Sequence, residues 1–233
     1  AYDPAFGYEL GVIIREGIRR MYAEQEDLFY YITVQNEQFP MPPSPGDVTE
    51  GILRGMYRFR PADPASGARR ASGLRAHLLA SGTIVNQALE AQQLLGERFG
   101  VAADVWSVTS FKQLHQDGNE VERWNRLHPL ETPRRTFIDQ CLGKEKGAIV
   151  IASDYVKALP NSIARWFPRP PVALGTDGYG RSDSRAALRR FFEVDARSIA
   201  VAALDGLARE GKLERQAVAA AIAALDVDPE QVD

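Results

Sequence analysis

"LRAHLLASGTIVNQALEAQQLLGERFGVAADVWSVTS", Leu74 to Ser110, is the stretch that decides the fold class. "LRAHLLAS" is a short apolar run with the length of a strand. A turn at Ser81-Gly82 leads into a helical pattern from Thr83 to about Arg98, and "ADVWSVTS" is a second strand. The alternation continues towards the carboxyl end. "FKQLHQDGNEVERWNRL" reads as a helix, "TPRRTFIDQCL" as a short helix, and "GAIVIAS" as a strand. "YVKALPNSIARWF" is helical with a break at Pro160, "PVALGT" is a short strand, and the helices "SIAVAALDGLARE" and "ERQAVAAAIAAL" close the chain. Strands alternating with helices predict an α/β fold, a mostly parallel sheet with helices on both faces.

The pattern loosens towards the amino end. "PADPASGARR", Pro61 to Arg70, is irregular, and "QNEQFPMPPSPGD" carries four prolines between Phe39 and Gly46. Proline has no amide donor for a helix or a ladder, so this stretch predicts an extended linker. "VTEGILRGMYRF" is a short bridging element between the two. Ahead of the prolines, "LFYYITV", Leu28 to Val34, is aromatic and β-branched and predicts a strand buried on both faces. "PAFGYELGVIIREGIRRMYAEQ" predicts a helix started at Asp3-Pro4, with Leu10, Ile13, Ile14, Gly17, Ile18 and Met21 on its apolar face. The expected division is residues 1–45, a linker over 46–69, and a main domain over 70–233.

Composition bounds the function. Hydrophobic residues are 45% of the chain, charged residues 25%, and the formal net charge is −3. That balance is the composition of a soluble globular protein and speaks against a nucleic-acid partner, which calls for a basic excess. No apolar run reaches bilayer-spanning length, so no membrane partner is expected. Cys141 is the one cysteine, which leaves no internal disulfide and predicts a reducing, cytoplasmic location. The chain opens on Ala1, with no initiator methionine and no visible leader, which predicts processing or a piece of something longer.

No motif declares chemistry by itself. Gly82 sits at a strand-to-helix turn, where backbone amides can bind an anion. The lysine and further glycines of a phosphate loop are absent, so a plain turn is the simpler reading. His77, His115 and His128 have no ligand at metal-site spacing, and no Gly-x-Ser-x-Gly elbow is present. "DGNEVERW", Asp117 to Trp124, is a charged helix face, while Trp124 and His128 are candidates for an interface. "LGTDGYGRSDSR", Leu174 to Arg185, reads as a turn through Gly178 and Gly180. Ser182 or Asp183 would cap a helix showing Leu188, Phe191 and Phe192. A capped turn leaves Arg181 and Arg185 unexplained. They could hold an anion or a neighbouring subunit, and Arg181, Asp183 and Arg185 are interface candidates. Asn36 and Glu37 follow directly on "LFYYITV" and are candidates for a substrate entrance, since ligands gather at the carboxyl ends of strands.

Taken together, several segments are familiar. "AYDPAFGYE", "FYYITVQNEQFPMP", "DVWSVTSF", "ERWNRLHPLETPR" and "LGTDGYGRSDSR", followed by "FFEVD" and "IAVAAL", resemble the homodimeric pyruvate dehydrogenase component family. The resemblance is to the carboxyl-terminal part of that thiamine-diphosphate-dependent subunit and runs from Ala1 almost to Asp233. It implies a transketolase-type carboxyl-terminal domain over residues 70–233, preceded by the last helix and strand of a pyrimidine-binding domain. It implies a parent that decarboxylates pyruvate on thiamine diphosphate with magnesium and reductively acetylates lipoyl groups of the dihydrolipoyl acyltransferase core. The partner implied is a second copy of the subunit, with this portion mainly structural and dimer-forming. Gly175-Thr176-Asp177-Gly178 departs from the Gly-Asp-Gly magnesium motif, and the family's catalytic groups precede Ala1. The expectation is no catalytic residue, no metal and no cofactor bound by this chain alone. The alternative is an independent, non-catalytic flavodoxin-like binding or assembly module.

Overall fold

Ala76, Leu78 and Ala80 alternate with His77 and Leu79 along strand β2 (Arg75–Ala80), and that alternation divides the core in two. The computed structural model describes residues 1–62 and 73–231. β2 is the centre of a five-stranded sheet. β3 (Ala102–Ser107) and β4 (Ala148–Ala152) flank it in parallel, and β5 (Val172–Leu174) continues in parallel beyond β4. β1 (Tyr57–Arg60) closes the other edge, antiparallel to β3, giving the order β1-β3-β2-β4-β5.

Ala76, Leu78 and Ala80 face a cluster built on helix α3 (Ile84–Phe99) together with the two closing helices, Ala196–Arg209 and Arg215–Ala224. Leu79 faces the second cluster with Trp106, Ile149 and Ile151. There α4 (Phe111–Leu127) supplies Phe111 and Leu114, and α5 (Phe137–Leu142) supplies Phe137, Ile138 and Leu142. The mostly parallel sheet covered on both faces is therefore present as the alternation of "LRAHLLAS" and its neighbours predicts.

Local chemistry sets the ends. Ser110 caps α4 by accepting from the Gln113 amide at 3.1 Å, and Asp195 caps the first closing helix by accepting from Ser198 N at 2.9 Å. Gly82 turns β2 into α3 with φ of 51°, and a Cβ there would lie 3.0 Å from the Asp3 carboxylate. At Gly118 a Cβ would stand 2.3 Å from the Trp166 ring, so only glycine lets that indole lie against α4. "YVKALPNSIARWF" is shorter than a helix. It forms one turn, α6, at Ala158–Asn161, holding Pro160, and a 3₁₀ turn at Ala164–Trp166.

The amino-terminal readings need correction. Helix α1 spans Gly7–Ile18 and continues as a π turn over Arg19–Ala23, so it starts at Phe6 rather than at Asp3-Pro4. Leu28–Val34 is no strand of the sheet. It makes one parallel bridge, Tyr2 to Ile32, carried by Tyr2 N to Tyr31 O at 2.8 Å and Thr33 N to Tyr2 O at 3.0 Å. An extended segment needs ladder partners along both edges to be buried, and this one makes a single bridge, so Phe29, Tyr31 and Val34 are exposed while Tyr30 and Ile32 pack against the core. Nor are residues 46–60 only a linker. Thr49–Arg54 is helix α2 and Tyr57–Arg60 is β1, whose buried Tyr57 and Phe59 join the core. Most of the irregular stretch "PADPASGARR" lies outside the described residues.

A buried carboxylate joins this segment to the sheet. Glu9 is fully buried, and accepts from the amides of Ala5 and Phe6, from Ser107 Oγ at 2.7 Å and from Tyr57 OH at 2.6 Å. Burial pushes its carboxyl up, while the four donors favour the ionised form. A glutamine at position 9 turns an amide N–H₂ towards one pair of donors. Glu9→Gln is expected to cost about 1–3 kcal/mol. That would lower Tm by about 2–4 °C per kcal/mol for a chain of this size. A melting curve superimposable on the wild type would show that Glu9 is not the tie.

Candidate functional site

In the sheet order, the chain runs from β2 outward to β3 and then crosses back to β4 on the other side of β2. In open parallel sheets the crevice at such a reversal, outside the carboxyl ends of the strands, is where ligands sit. Thr83 follows β2, Asp154 follows β4 and Thr176 follows β5, and all three line one cavity of about 670 Å³. The segment Val34–Glu37 crosses one side of it. Helix α7 (Arg185–Phe191) and the loop before it close the other.

The wall between them is a polar lattice. Arg189 donates two hydrogen bonds to Glu37, one of 3.1 Å from Nη1 to Oε1, and is only 13% exposed against 20% for Glu37. The same guanidinium donates to Thr83 Oγ1 at 3.0 Å, and the Thr83 hydroxyl donates to Gln35 Oε1. Hydrogen bonding from Arg189 holds the Glu37 carboxyl below the usual glutamate range. Arg185 Nη2 donates to Asn36 Oδ1 at 2.6 Å, and its Nε lies 3.8 Å from Glu37. The Arg181 guanidinium stacks on Phe191, 3.7 Å above the ring centroid. Asp154 also lines the cavity, with Gln35 Nε2 at 3.5 Å, and burial pushes its carboxyl up against the pull of Arg189. Val34, Leu188, Phe192 and Val194 give the lining its apolar part.

Asn36, Glu37, Arg181 and Arg185, separated by about 150 residues in sequence, therefore share one cavity. Asp183 does not line it. Its carboxylate accepts from the Ser184 amide at 2.6 Å, and Ser184, rather than Ser182 or Asp183, caps α7. Asp177 accepts from Lys157 N at 2.8 Å and pairs with Lys157 Nζ at 3.1 Å. Trp124 and His128 lie apart from the cavity, at the end of α4. Their rings stack at 4.5 Å, the Arg134 guanidinium lies 3.9 Å from the Trp124 ring centroid, and Leu130 beyond them is wholly exposed.

Sequence reading missed one buried cluster. His77, Asp104 and Glu145 bring potential ligand atoms within 4.8 Å of one another. The carboxylates are already engaged, Asp104 by Arg75 at 2.9 Å and the Ala62 amide at 2.7 Å, Glu145 by Arg58 at 2.9 Å. Trp106 Nε1 donates to His77 Nδ1 at 3.4 Å, which leaves Nε2 to donate to Lys146 O at 3.2 Å. Burial pushes this imidazole below its ordinary value, against the pull of the Asp104 carboxylate 3.4 Å from Nδ1.

Two family descriptions match the chain in order: "Pyruvate dehydrogenase E1 component middle domain" over residues 1–42 and "Transketolase-like TK C-terminal domain" over residues 55–195. Among curated proteins, the pyruvate dehydrogenase E1 component of Pseudomonas aeruginosa is 47% identical over 99% of this chain and 26% of its own length. That of Escherichia coli is 43% identical over 100% of this chain and 26% of its own. That of Mycobacterium tuberculosis is 40% identical over 98% and 24%. The chain thus spans about a quarter of the length of these relatives. Solved structures share the fold at low identity. A Pichia stipitis transketolase mutant aligns with TM-score 0.58 at 18% identity over 91% of this chain and 25% of that one. An inactive β4 tetramer of a split-gene transketolase aligns with TM-score 0.55 at 20% identity over 89% and 56%.

The wall and the rim of the cavity separate by mutation. Glu37→Gln is expected to cost about 1.5–3 kcal/mol in urea unfolding at pH 7, because it weakens a nearly dry charge-assisted pair. Arg185→Ala, at the half-exposed rim, is expected to cost under about 1 kcal/mol. The Glu37 carboxyl is lowered in the fold, so its contribution is present above the ordinary glutamate value of about 4.3 and is lost as pH falls through the folded value. The Glu37→Gln deficit should therefore shrink at about pH 3.5. A deficit of equal size at both pH values would mean that the pair is not what stabilises the wall.

Proposed function

The chain belongs to the family of transketolase-like C-terminal domains, and from that premise we propose that it is the carboxyl-terminal portion of a pyruvate dehydrogenase E1 component. The observation that carries the reading is the order of the two family matches, middle domain over 1–42 and then C-terminal domain over 55–195, in a chain 47% identical to an E1 component almost end to end. On this reading the parent decarboxylates pyruvate and reductively acetylates the lipoyl groups of an acyltransferase core, working in the cytoplasm as a homodimer. Thiamine diphosphate with magnesium supplies the electron sink for decarboxylation in that parent.

Among the described residues, the Gly175–Gly178 turn does not fit the magnesium of that cofactor. Asp177, the carboxylate nearest to a magnesium motif, is tied to the Lys157 amide and ammonium, and the other three residues of the Gly175–Gly178 turn bring no carboxylate. What this portion contributes is therefore position. Asn36 and Glu37 are held by Arg185 and Arg189, so they orient the wall of the cavity at the proposed entrance. The subunit contact is assigned to the end of α4, where the Trp124–His128 stack, half-exposed Leu127 and exposed Leu130 make an aromatic and apolar edge beside arginines.

The decisive experiment is to express the full reading frame that encodes this chain and to assay carbon dioxide release from pyruvate with thiamine diphosphate and magnesium. A frame that adds no cofactor-binding domain before Ala1, or a product inert towards pyruvate, overturns the reading. In that parent, Trp124→Ala and Leu130→Asp are each expected to raise the dimer dissociation constant about tenfold or more, which is about 1.4 kcal/mol. Specific activity should then fall on dilution and recover on concentration. Sedimentation profiles unchanged by both substitutions would move the contact elsewhere.

A further inference from the structure

His77 is fully buried on β2, in register with Asp104 on β3, and Trp106 stands two residues further along β3 on the same face as Asp104. These two neighbours are of opposite kind. Trp106 Nε1 is a donor 3.4 Å from the imidazole Nδ1, and Asp104 Oδ2 is an acceptor 3.4 Å from the same atom. The other ring nitrogen meets a fixed acceptor, the Lys146 carbonyl, 3.2 Å from Nε2. A neutral imidazole carries one N–H, which Lys146 O draws to Nε2. Nδ1 then accepts from the indole and turns its lone pair towards Asp104. An imidazolium carries two N–H groups. It donates to Lys146 O and to Asp104 Oδ2, and the Trp106 N–H loses its acceptor.

The charged groups around the ring are already balanced. Asp104 Oδ2 accepts from Arg75 at 2.9 Å and Oδ1 from the Ala62 amide at 2.7 Å. Glu145, ahead of β4, pairs with Arg58 of β1 at 2.9 Å. Arg169, ahead of β5, donates to the carbonyls of Glu145 and Gly147 and lies 3.4 Å from Glu210. Both carboxylates nearest the ring are thus neutralised by arginines without a metal. Burial, the largest influence, and Arg169 disfavour the imidazolium, against the pull of Asp104, the Lys146 carbonyl and Glu145. Protonation therefore falls on the acid side of the ordinary histidine value. Trp106 in turn lines a cavity of about 580 Å³ with residues of α2, β1 and α5, and the Arg58 guanidinium lies 5.0 Å from its ring centroid.

We propose that His77 is a pH-sensitive switch inside the sheet, which holds the Trp106 indole when neutral and exchanges that bond for one to Asp104 when protonated. The step takes up one proton at Nδ1, forms one ion pair and leaves one buried N–H without its partner. Arg75 and the imidazolium then share Asp104 Oδ2, and the indole that lines the cavity beside β1 is released from β2. The switch is built from this chain's own sheet and does not rest on the E1 reading.

The test is an NMR titration of this chain, labelled at histidine and tryptophan nitrogens, from about pH 8 to about pH 4. His77→Gln and Trp106→Phe identify the two resonances. The His77 ring and the Trp106 indole N–H are expected to move with one shared midpoint, below the ordinary histidine value of about 6.5. In His77→Gln the indole should stop responding to pH. Trp106→Phe removes the donor that favours the neutral ring and should raise the His77 midpoint by about half a pH unit or more, whereas Asp104→Asn removes the anion that favours the charged ring and should lower it. Circular dichroism checks the fold of each variant. If Asp104→Asn does not fold, Trp106→Phe decides, because it leaves the carboxylate and its pairs in place. An indole resonance that stays still while His77 titrates, a midpoint not raised by Trp106→Phe, or a chain that unfolds before His77 takes its proton would each overturn the proposal.

Discussion

The Glu9 carboxylate, buried and holding four donors from three parts of the chain, is the constraint on which the rest of the architecture depends. Two donors are amides at the start of α1, one is Tyr57 on β1 and one is Ser107 at the end of β3. With Tyr8 bonded in turn to Tyr57, the network fastens the amino-terminal segment across the carboxyl edge of the sheet. Asp3 continues the attachment: its amide donates to Thr109 O, its carbonyl accepts from the Gly82 amide, and its carboxylate accepts from Thr33. Since Thr33 leads directly into Gln35–Glu37, the tie that holds α1 also brings those residues over the strand ends.

The cavity is a consequence of that placement. Thr83 is delivered by the β2–α3 turn and Arg189 by α7, more than a hundred residues later. Arg189 bonds Thr83 directly and Glu37 beside it. A charge pair that is mostly dry gains from each added hydrogen bond, since an unpaired charge there would be costly. Thr83 and Gln35 supply those bonds, and the lattice becomes stiff. Arg181 and Arg185 sit just outside it, where water still screens them, and so keep donors free. A rigid balanced wall thus stands beside a rim whose arginines keep donors free.

The main sheet was legible because period-two alternation and short apolar runs survive wherever both faces are covered. β2, β4, α3 and α4 stand within a residue of their predicted limits, whereas β3 ends at Ser107, three residues before the predicted Ser110. β1 was hidden by its setting. Its buried-exposed alternation at Tyr57–Arg60 is clear, but it lies between prolines and an irregular stretch, and four residues carry little periodic signal. "LFYYITV" misled for the opposite reason: residue type signals a strand, whereas burial needs neighbours that type cannot reveal. The cavity was half legible. Strand-end position selected Asn36 and Glu37, and unexplained charge selected Arg181 and Arg185. Their union, and the committed role of Arg189, are tertiary facts with no local signal. The pairing of Asp104 with Arg75 and of Glu145 with Arg58 around His77 is of the same kind.

The exposed face of the amino-terminal segment follows from the same geometry. Ile13 and Phe6 are buried against the sheet, while Ile14, Ile18 and Tyr22 on the outer side of α1 and its π turn stand open beside Phe29 and Tyr31. A helix with one apolar stripe faces one core, whereas this one carries apolar residues on both sides, the signature of an element packed between two layers. An apolar surface of this extent is unusual on an isolated globular unit. Residues 1–42 match the E1 middle domain, and on the E1 reading the second layer is the remainder of that domain. Glu9 would then hold together more than one chain terminus: its four bonds would fix the angle between the middle and C-terminal domains, and with it the direction in which the cavity at β2 and β4 opens.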